Sequence, residues 1–388
     1  MAGARRSRRK VVFAAFPAGE SRFSLALVPL MTPTPTALQP HPATERAEAS
    51  AWRFCVAPMM DWTDRHCRFF LRQMSRHTRL YTEMVTTGAL LHGDVARHLD
   101  YHPDEHPLAL QLGGSDPVAL AQCARMAEDW GYDEVNLNCG CPSDRVQGGG
   151  FGACLMREPR RVADCVAAMR AACSLPVTVK CRIGVDDCDD DTFLDAFIAP
   201  IADAGCDVFI IHARKAWLQG LSPKENREVP PLNYARVREL KQARPDLHIV
   251  LNGGLATVAE ATEQLAVFDG VMLGRAAYDN PWLLADVDPL CFGAPAPVRS
   301  RCEVLERMRD YIAQSHAEGT PVAAITRHML GLYRGQPRGR AFRRLLGESA
   351  RAPETTAALI DDAIALLHPK PSTAQTFSAD PQENKATA

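Results

Sequence analysis

Two cysteines separated by one glycine are the residues of this chain that could most readily do chemistry, in the run Asn138–Ser143. Paired cysteines occur in metal sites, but the sequence supplies no second cysteine pair and no cysteine–histidine cluster, so we expect no metal. A thiol with an ordinary pKa of about 8.5 is mostly protonated at neutral pH. Cys141 could therefore act as a general acid as well as a nucleophile.

Polar residues also occur at the points where a series of short apolar runs ends. One such residue alone is more often a satisfied structural group than a functional one. Several of them at equivalent positions are harder to explain by packing and indicate a shared site. These residues are Gln111, Asn138, Lys180, Arg182, His212 and Asn252.

Two glycine-containing loops predict a phosphate site. They are Asn252-Gly253-Gly254 and Gly274-Arg275. Glycine lets backbone N–H groups approach a phosphate closely, and an arginine adds a bidentate contact. Tight turns would explain either loop alone, but the pair favours a phosphorylated cofactor or substrate. No Gly-x-Gly-x-x-Gly motif opens a βαβ unit, so a dedicated dinucleotide domain is not expected.

The alternation of eight apolar runs with amphipathic segments predicts how these residues are positioned. The runs read as parallel strands of near-continuous hydrophobicity, covered on both faces, and the segments between them have helical periodicity. Eight such units in about 240 residues indicate an α/β fold, a (β/α)8 TIM barrel over residues 51–294, with its site at the strand ends. The expected strands are Phe54–Met59, Leu80–Met84, Leu108–Leu112, Glu134–Asn138, Val177–Arg182, Val208–His212, Ile249–Asn252 and Gly270–Leu273.

After Pro295 the strand pattern stops, and residues 295–367 predict a small helical bundle. We expect helices near residues 304–312, Pro321–Tyr333, Arg340–Leu346 and Glu354–Leu367. Six arginines lie in the stretch 334–351, where Glu348 is the one acidic residue, and this favours phosphate contact over a merely solvated helix face. The arginines are Arg334, Arg338, Arg340, Arg343, Arg344 and Arg351.

Composition excludes several classes of protein. The chain has 388 residues, 46% apolar and 23% charged, with a net charge of −2, so it is not uniformly basic, although a local basic face is compatible with that total. No apolar run approaches the roughly 18 residues of a membrane span. Thirteen cysteines without paired spacing indicate a reducing compartment, and we expect the cytoplasm.

The two ends of the chain differ from the rest. Residues 1–50 predict a disordered extension, and Met31 is an alternative start; a secretory signal is disfavoured because Pro17 and Glu20 break the apolar run. Residues 368–388 predict a disordered tail. The acidic run Asp186–Asp191 lacks the spacing of a calcium loop and reads as a solvated loop.

Several of these motifs together resemble the tRNA-dihydrouridine synthases. The resemblance covers about residues 52–365, in order, and Lys215–Arg227 is similar to the A branch of that family. The matching runs are Ala57–Asp64, Gln111–Ser115, Asn138–Ser143, Lys180–Arg182, His212–Arg214 and Asn252–Gly254.

The resemblance implies a barrel that binds flavin mononucleotide (FMN) and uses NADPH, as a transient reductant, to reduce uridine in folded tRNA, at positions 20 and 20a for the A branch. Hydride would pass from the flavin to C6 of uracil, and Cys141 would protonate C5. The residues implied to bind the flavin are Pro58, Met59, Met60, Gln111, Lys180, His212, Asn252, Gly253, Gly254, Gly274 and Arg275.

The same resemblance implies the contacts with tRNA. Asn138 is matched to a contact with the substrate RNA, Lys224 and Arg227 to the A-branch loop, and Arg340 and Arg343 to the helical domain. The target base must be extruded from the stack to reach the flavin. No protein partner and no membrane are implied, and we expect a monomer.

Two other functions remain open at this point. One is an FMN barrel that oxidises or reduces a free pyrimidine, which would not explain the arginine-rich helices. The other is a catalytically silent RNA-binding protein, which would not explain Cys141, Lys180 and His212.

Overall fold

A computed structural model describes residues 51–188, 192–352 and 354–368 of the chain. The extension predicted for residues 1–50 and the tail predicted beyond His368 lie outside them, as does part of the acidic run. Within the described residues, eight parallel strands pair in chain order, and the last pairs with the first. This closed barrel confirms the predicted TIM barrel.

The strands lie close to the predicted apolar runs. The first is shorter than the expected Phe54–Met59, because Pro58 has no N–H group to continue the ladder. The chain then turns, and the N–H groups of Trp62 and Thr63 donate to the carbonyl of Met59. The strands are β1 (Phe54–Val56), β2 (Arg79–Thr86), β3 (Leu108–Gly113), β4 (Glu134–Cys139), β5 (Val177–Arg182), β6 (Val208–His212), β7 (His248–Asn252) and β8 (Gly270–Leu273).

Side chains alternate between the barrel interior and the surrounding helices, as strand geometry requires. On β4, Val135 and Leu137 belong to the main hydrophobic core. Glu134 and Asn136 face the opposite way and bond to side chains of other strands, among them Thr178 on β5. The expected near-continuous hydrophobicity is therefore wrong for these two strands, because one face of each lines a polar interior.

Helices cover the outside of the barrel. The predicted helix Pro117–Trp130 is confirmed at both ends, and the helix predicted over Pro159–Cys173 ends one residue earlier. Asp116 accepts the N–H of Ala119 at the start of the former helix. The α-helices of the barrel are α1 (Arg65–Arg72), α2 (Thr87–His92), α3 (Val95–Leu99), α4 (Pro117–Trp130), α5 (Asp144–Gly148), α6 (Pro159–Ala172), α7 (Phe193–Asp203), α8 (Tyr234–Ala243), α9 (Val258–Gln264) and α10 (Arg275–Asp279). Shorter helical turns are 3₁₀ at Pro103–Glu105, Gly152–Arg157, Glu225–Arg227 and Pro281–Asp286, and π at Asp288–Phe292.

A helical region follows the barrel, as predicted, but one of its helices is much shorter than expected. The helix predicted over Pro321–Tyr333 ends at Thr326, and turns follow. A Cβ atom at Gly331 would lie 2.6 Å from the carbonyl oxygen of Asp279, so the backbone there packs closely against the barrel. The helices of this region are α11 (Arg301–Ala317), α12 (Val322–Thr326), α13 (Gly339–Ser349) and α14 (Ala358–Leu367). In the part of the chain that the structure describes, no helix is long and apolar enough to cross a membrane.

One hydrophobic core runs through the barrel helices and the helical region. At their junction Phe69 stacks on Tyr311 with ring centroids 3.9 Å apart. Asp64, which caps α1, accepts hydrogen bonds from Arg327 (2.5 Å) and His328 (3.1 Å). Apolar packing and the hydrogen bonds of Asp64 therefore both fix the helical region against the start of the barrel.

Candidate active site

The carboxyl ends of the strands bring the predicted polar residues to one rim of the barrel. Gln111 and Asn138 end β3 and β4 and are bonded to each other, with Asn138 Nδ2 donating to Gln111 Oε1 (2.8 Å). Lys180 Nζ donates to Asn252 Oδ1 across the barrel (3.1 Å). His212 lies against Gly253, where a Cβ atom would come within 2.7 Å of its ring. The strand register thus brings these residues together at one rim of the barrel, and this cluster is called the rim pocket below.

Buried cations dominate the electrostatics of this pocket. Burial, with Arg182 nearby, lowers the pKa of Lys180 to about 8. Burial also lowers the pKa of Arg182 to about 10 and that of His212 well below its ordinary value. At neutral pH, His212 is therefore uncharged while Lys180 and Arg182 stay protonated. The pocket favours an anionic or electron-rich ligand.

The two cysteines of the Asn138–Ser143 run face different surroundings. Cys139 lies in the core against the helices, where burial raises the pKa of its thiol well above the ordinary range. Cys141 is half-buried in the loop beyond β4. The pair therefore does not present two thiols to one site, and among the described residues no group of three or more histidine, cysteine or acidic side chains is placed to hold a metal ion.

The loop that carries Cys141 is held at several points. The backbone N–H groups of Gly140 and Cys141 donate to Asn138 Oδ1 at 3.1 and 3.0 Å. Arg182 Nε donates to the carbonyl of Gly140 (2.9 Å). Gly152 approaches from the next turn with φ +79°, and a Cβ atom there would lie 2.6 Å from the carbonyl oxygen of Cys141. The thiol is therefore accessible but borne on a fixed backbone.

The two glycine loops form a cradle beside this pocket. Gly253 and Gly254 have φ values of +112° and +74°, which favour glycine, and a Cβ atom at Gly254 would lie 2.4 Å from Leu232. Asn252 Nδ2 donates to the carbonyl of Met272 (2.7 Å), which ties this loop to β8. Glycine at these positions leaves the backbone uncovered by a Cβ atom, which favours phosphate binding on N–H groups.

The remaining predicted flavin contacts lie around the cradle. A Cβ atom at Gly274 would be 3.9 Å from the sulfur of Met59, so the first loop and the last strand meet there. Arg275 begins α10 and pairs with Glu228 (2.5 Å). Pro58 is half-buried, whereas Met60 is 55% exposed. Met60 therefore faces solvent.

The loop after β6 forms one side of the rim. Its buried Asn226 holds the loop together, since its side chain accepts the N–H of Trp217 (2.8 Å) and donates to the carbonyl of the same residue. Arg182 Nη1 donates to the carbonyl of Asn226 (2.9 Å). Arg227 is exposed at the protein surface, and partial desolvation together with Arg275 lowers its pKa. Lys224 is exposed, so the loop presents positive charge to solvent.

Sequence reasoning missed what Asn226 and Arg182 do. Asn226 lies in the matched Lys215–Arg227 run, but its burial is a property of the folded loop. Arg182 was predicted only as a strand-end residue, yet it joins the cysteine loop to the loop after β6. The alternation of Lys180 and Arg182 with apolar neighbours on β5 was the available signal that both point inward.

The arginine-rich helical region sorts into exposed and engaged side chains. Arg340 and Arg343 are exposed on α13. Arg338 is engaged, since its Nη1 donates to the carbonyl of Leu366 (2.7 Å). Arg343 lines a cleft of about 530 Å³ between this region and α10, whose first residue belongs to the glycine cradle. The other lining residues are Tyr278, Asp279, Arg327, His328, Leu330, Gly331 and Arg334.

Comparison with known proteins places these features in a family. The family model described as Dihydrouridine synthase (Dus) matches residues 55–367. A tRNA-dihydrouridine(20/20a) synthase of Pseudomonas aeruginosa is 58% identical over 330 residues, which are 85% of this chain and 99% of the relative. The protein of the same name from Pseudomonas putida is 58% identical over 332 residues, 86% of this chain and 98% of the relative. That of Salmonella typhi is 55% identical over 330 residues, 85% of this chain and 99% of the relative. Because the family model spans the barrel and the helical region together, and the relatives match over almost their whole length, this chain belongs to the dihydrouridine synthase family.

Proposed function

We propose that this protein is an oxidoreductase that reduces uridine to 5,6-dihydrouridine in the D-loop of tRNA, at positions 20 and 20a. The names of its relatives support the substrate and the positions. The observation that carries the chemistry is the accessible thiol of Cys141, held on a fixed loop beside a buried cationic pocket. That arrangement provides a proton donor next to a site for an electron-rich ring.

The pocket fits flavin mononucleotide. The glycine cradle offers close backbone approach for the phosphate, and Arg275 lies at its edge with a carboxylate partner that a phosphate could replace. Lys180 offers positive charge to the ring. When bound and reduced by NADPH, the flavin would supply hydride to C6 of the uracil ring. The residues proposed to hold it are Pro58, Met59, Met60, Gln111, Lys180, His212, Asn252, Gly253, Gly254, Gly274 and Arg275.

The protein's own contribution to the reaction is proton delivery and orientation. Cys141 gives its proton to C5 of the target base, and its loop is fixed by Asn138 and Arg182 so that the thiol does not have to be ordered during the reaction. Lys180 places positive charge beside the electron-rich part of the bound ring. His212, kept neutral by its surroundings, can donate one hydrogen bond and accept another.

We propose that tRNA lies across the rim and the helical region. Lys224 and Arg227 contact phosphates at the rim, and Arg340 and Arg343 contact them at the helical region, while Asn138 contacts the extruded base through its remaining Nδ2 hydrogen. We place the enzyme in the cytoplasm as a monomer. All thirteen cysteines are free thiols, which agrees with a reducing compartment.

The test uses the purified protein with NADPH and a tRNA transcript, and dihydrouridine is located by mass spectrometry of nuclease fragments. We expect reduction at positions 20 and 20a and its loss when cytidine replaces those uridines. If free uridine were reduced as fast as the tRNA, the enzyme acting on a free pyrimidine would be favoured. If the purified protein had no flavin absorption band, the catalytically silent RNA-binding protein would be favoured.

A further inference from the structure

A line of hydrogen bonds runs inside the barrel from the cysteine loop toward the opposite end. Asn138 Nδ2 donates to Gln111 Oε1 (2.8 Å), and Gln111 Nε2 donates to Asn136 Oδ1 (2.7 Å). Asn136 Nδ2 donates to Thr178 Oγ1 (2.7 Å), and Thr178 Oγ1 donates to Glu134 Oε1 (2.5 Å). We call these five residues the interior relay.

The relay has one direction, which the groups at its ends impose. At the rim, Asn138 Oδ1 accepts two backbone N–H groups, so the amide must turn its NH₂ toward Gln111. That fixes the oxygen of Gln111 toward Asn138 and its NH₂ toward Asn136. The same reasoning sets Asn136, and it leaves the Thr178 hydroxyl proton pointing to Glu134.

The far end of the relay is firmly anchored. Glu134 is fully buried, and its carboxylate also accepts from Trp52 Nε1 (2.7 Å), Arg79 Nη1 (3.0 Å) and Tyr81 OH (2.9 Å). A carboxylate cannot donate while it is ionised, so it accepts from Thr178 and terminates the chain of donors. If the side-chain amide of Asn138, Gln111 or Asn136 were rotated by 180°, at least two of these hydrogen bonds would be replaced by contacts between two donors or between two oxygens.

The strand pattern explains why the relay exists. Glu134, Asn136 and Asn138 alternate along β4 with residues that face the helices, so all three line the interior. Asn136 and Thr178 are fully buried and lie beneath the rim pocket. The mechanism proposed above uses neither of them, and buried polar groups of this kind are costly unless each is satisfied.

We propose that Asn136 is a positioning residue for Cys141. It holds Gln111 in one orientation, Gln111 holds Asn138, and Asn138 holds the N–H groups of Gly140 and Cys141. The catalytic consequence rests on the proposed function of Cys141, whereas the placement of the thiol does not. Thr178 supports Asn136 in turn, one step farther from the rim.

The test compares two isosteric variants of the flavin-loaded protein. Asn136→Leu removes the acceptor for Gln111, whereas Asn136→Asp keeps a carboxyl oxygen there in either protonation state. The first readout is the rate at which iodoacetamide alkylates Cys141, followed by mass spectrometry. Cys302, partly exposed on α11, serves as the internal reference.

We expect Asn136→Leu to raise the alkylation of Cys141 relative to Cys302 by about threefold or more, because the loop is then less firmly oriented. The bond that is lost belongs to Gln111, which then holds Asn138, and through it the loop, less firmly. Oxidation of the reduced enzyme by tRNA should therefore slow about tenfold, while reduction by NADPH changes less than about twofold. Asn136→Asp should restore both rates to near the original values.

A second pair covers the case in which Asn136→Leu does not fold or does not retain flavin. Thr178→Val removes the hydroxyl and Thr178→Ser restores it, and we expect a smaller rise in Cys141 alkylation for valine only. Two results would overturn the proposal. In the first, Asn136→Leu or Thr178→Val folds and has a lowered melting temperature, but Cys141 is alkylated at the original rate, so the relay only contributes to core packing. In the second, Asn136→Asp behaves like Asn136→Leu. If the protein forms no dihydrouridine at all but the alkylation pattern holds, the proposed function fails and the positioning role stands.

Discussion

Both ends of the barrel interior contain charged side chains, but the partners of these charges differ. At the amino end, Glu134 is paired with Arg79 (3.0 Å) and receives three further hydrogen bonds. At the carboxyl end, Lys180 bonds to the amide oxygen of Asn252. Among the described residues, Arg182 bonds to backbone carbonyls, including that of Gly140. Lys180 and Arg182 therefore have neutral partners, whereas Arg79 at the other end has an anion.

This difference separates structural charge from functional charge. A buried ion pair with every hydrogen bond satisfied can be explained by the fold alone. The charges of Lys180 and Arg182 are not neutralised by an anion, so they can still attract a ligand. The lowered pKa values of the two groups reflect the free-energy cost of burying these charges. Perturbed groups in a cleft are functional candidates for this reason. The comparison supports our proposal that the rim binds a ligand, whereas the amino end is explained by stability.

The largest effect that we expect is the loss of dihydrouridine formation in Cys141→Ala. General acid catalysis contributes about 10²–10⁴-fold, so tRNA turnover should fall by at least about a hundredfold. The variant should still bind flavin and oxidise NADPH, because the thiol acts only on the base. Stopped-flow measurement of the two half-reactions checks this.

Cys139→Ala is the matched control for that variant, because Cys139 lies two residues away but faces the core. It should lose some stability and keep both half-reactions. If flavin reduction in Cys141→Ala slowed as much as tRNA turnover, Cys141 would have a structural or flavin-tuning role instead.

The two ends can be compared directly with Arg79→Met and Lys180→Met. Removing Arg79 leaves the buried carboxylate of Glu134 without its cation, so the free energy of unfolding should fall by about 3–5 kcal/mol. Removing Lys180 takes away a buried charge that has no anion, so stability should be unchanged or higher while flavin binding is lost. Urea unfolding of both variants without flavin measures the first quantity, since a bound ligand would add its own stabilisation.

Equal destabilisation by the two substitutions would contradict the division of the barrel into a structural and a functional end. Retention of flavin by Lys180→Met with undiminished affinity would remove Lys180 from the cofactor site.

The fold could be predicted because each unit of the barrel leaves a local pattern. The eight apolar runs, Pro117 at a helix start and the polar residues after the strands are all visible in the sequence. The relay was visible too, as the alternation of Glu134, Asn136 and Asn138. It was not predicted, because the run was treated as an ordinary buried strand.

Other features depend on contacts between distant segments and leave no local signal. The predicted helix over Pro321–Tyr333 is broken where Gly331 packs on Asp279, and helical periodicity does not contain that contact. The bond from Arg182 to the carbonyl of Gly140 joins residues 42 positions apart. The glycine loops and the arginine-rich stretch predict phosphate contacts by their composition, whereas the identity of the flavin and of the tRNA is implied by the resemblance alone.

A smaller effect should appear in the pH dependence of flavin affinity. The pKa of Lys180 is lowered to about 8 by burial, so above that pH the free protein has a neutral amine. The electron-rich edge of the flavin ring favours the protonated form of Lys180, so binding above that pH must take up a proton, and flavin affinity should fall by up to tenfold per pH unit. Fluorescence titration of FMN between pH 7 and 9.5 measures this.

Lys180→Arg is the control for the pH profile, since arginine stays charged throughout this range. The flavin affinity of this variant should not decline between pH 8 and 9.5. If the flavin affinity of the native protein stayed constant up to pH 9.5, Lys180 would not contact the flavin ring.

The smallest expected effect lies outside the barrel, where Arg340 and Arg343 are exposed and solvent screens their charges. Replacing both by alanine should weaken tRNA binding and lower the salt dependence of log K by about one unit for each phosphate that is no longer neutralised. Oxidation of NADPH should not change, because the pocket that we assign to the flavin lies in the barrel. Arg309→Ala is a suitable control, since Arg309 is in the same region but pairs with Asp361 (3.0 Å). Binding across a salt series decides the matter: an unchanged slope and affinity would mean that these arginines only face solvent, and that the rim around Lys224 and Arg227 holds the RNA alone.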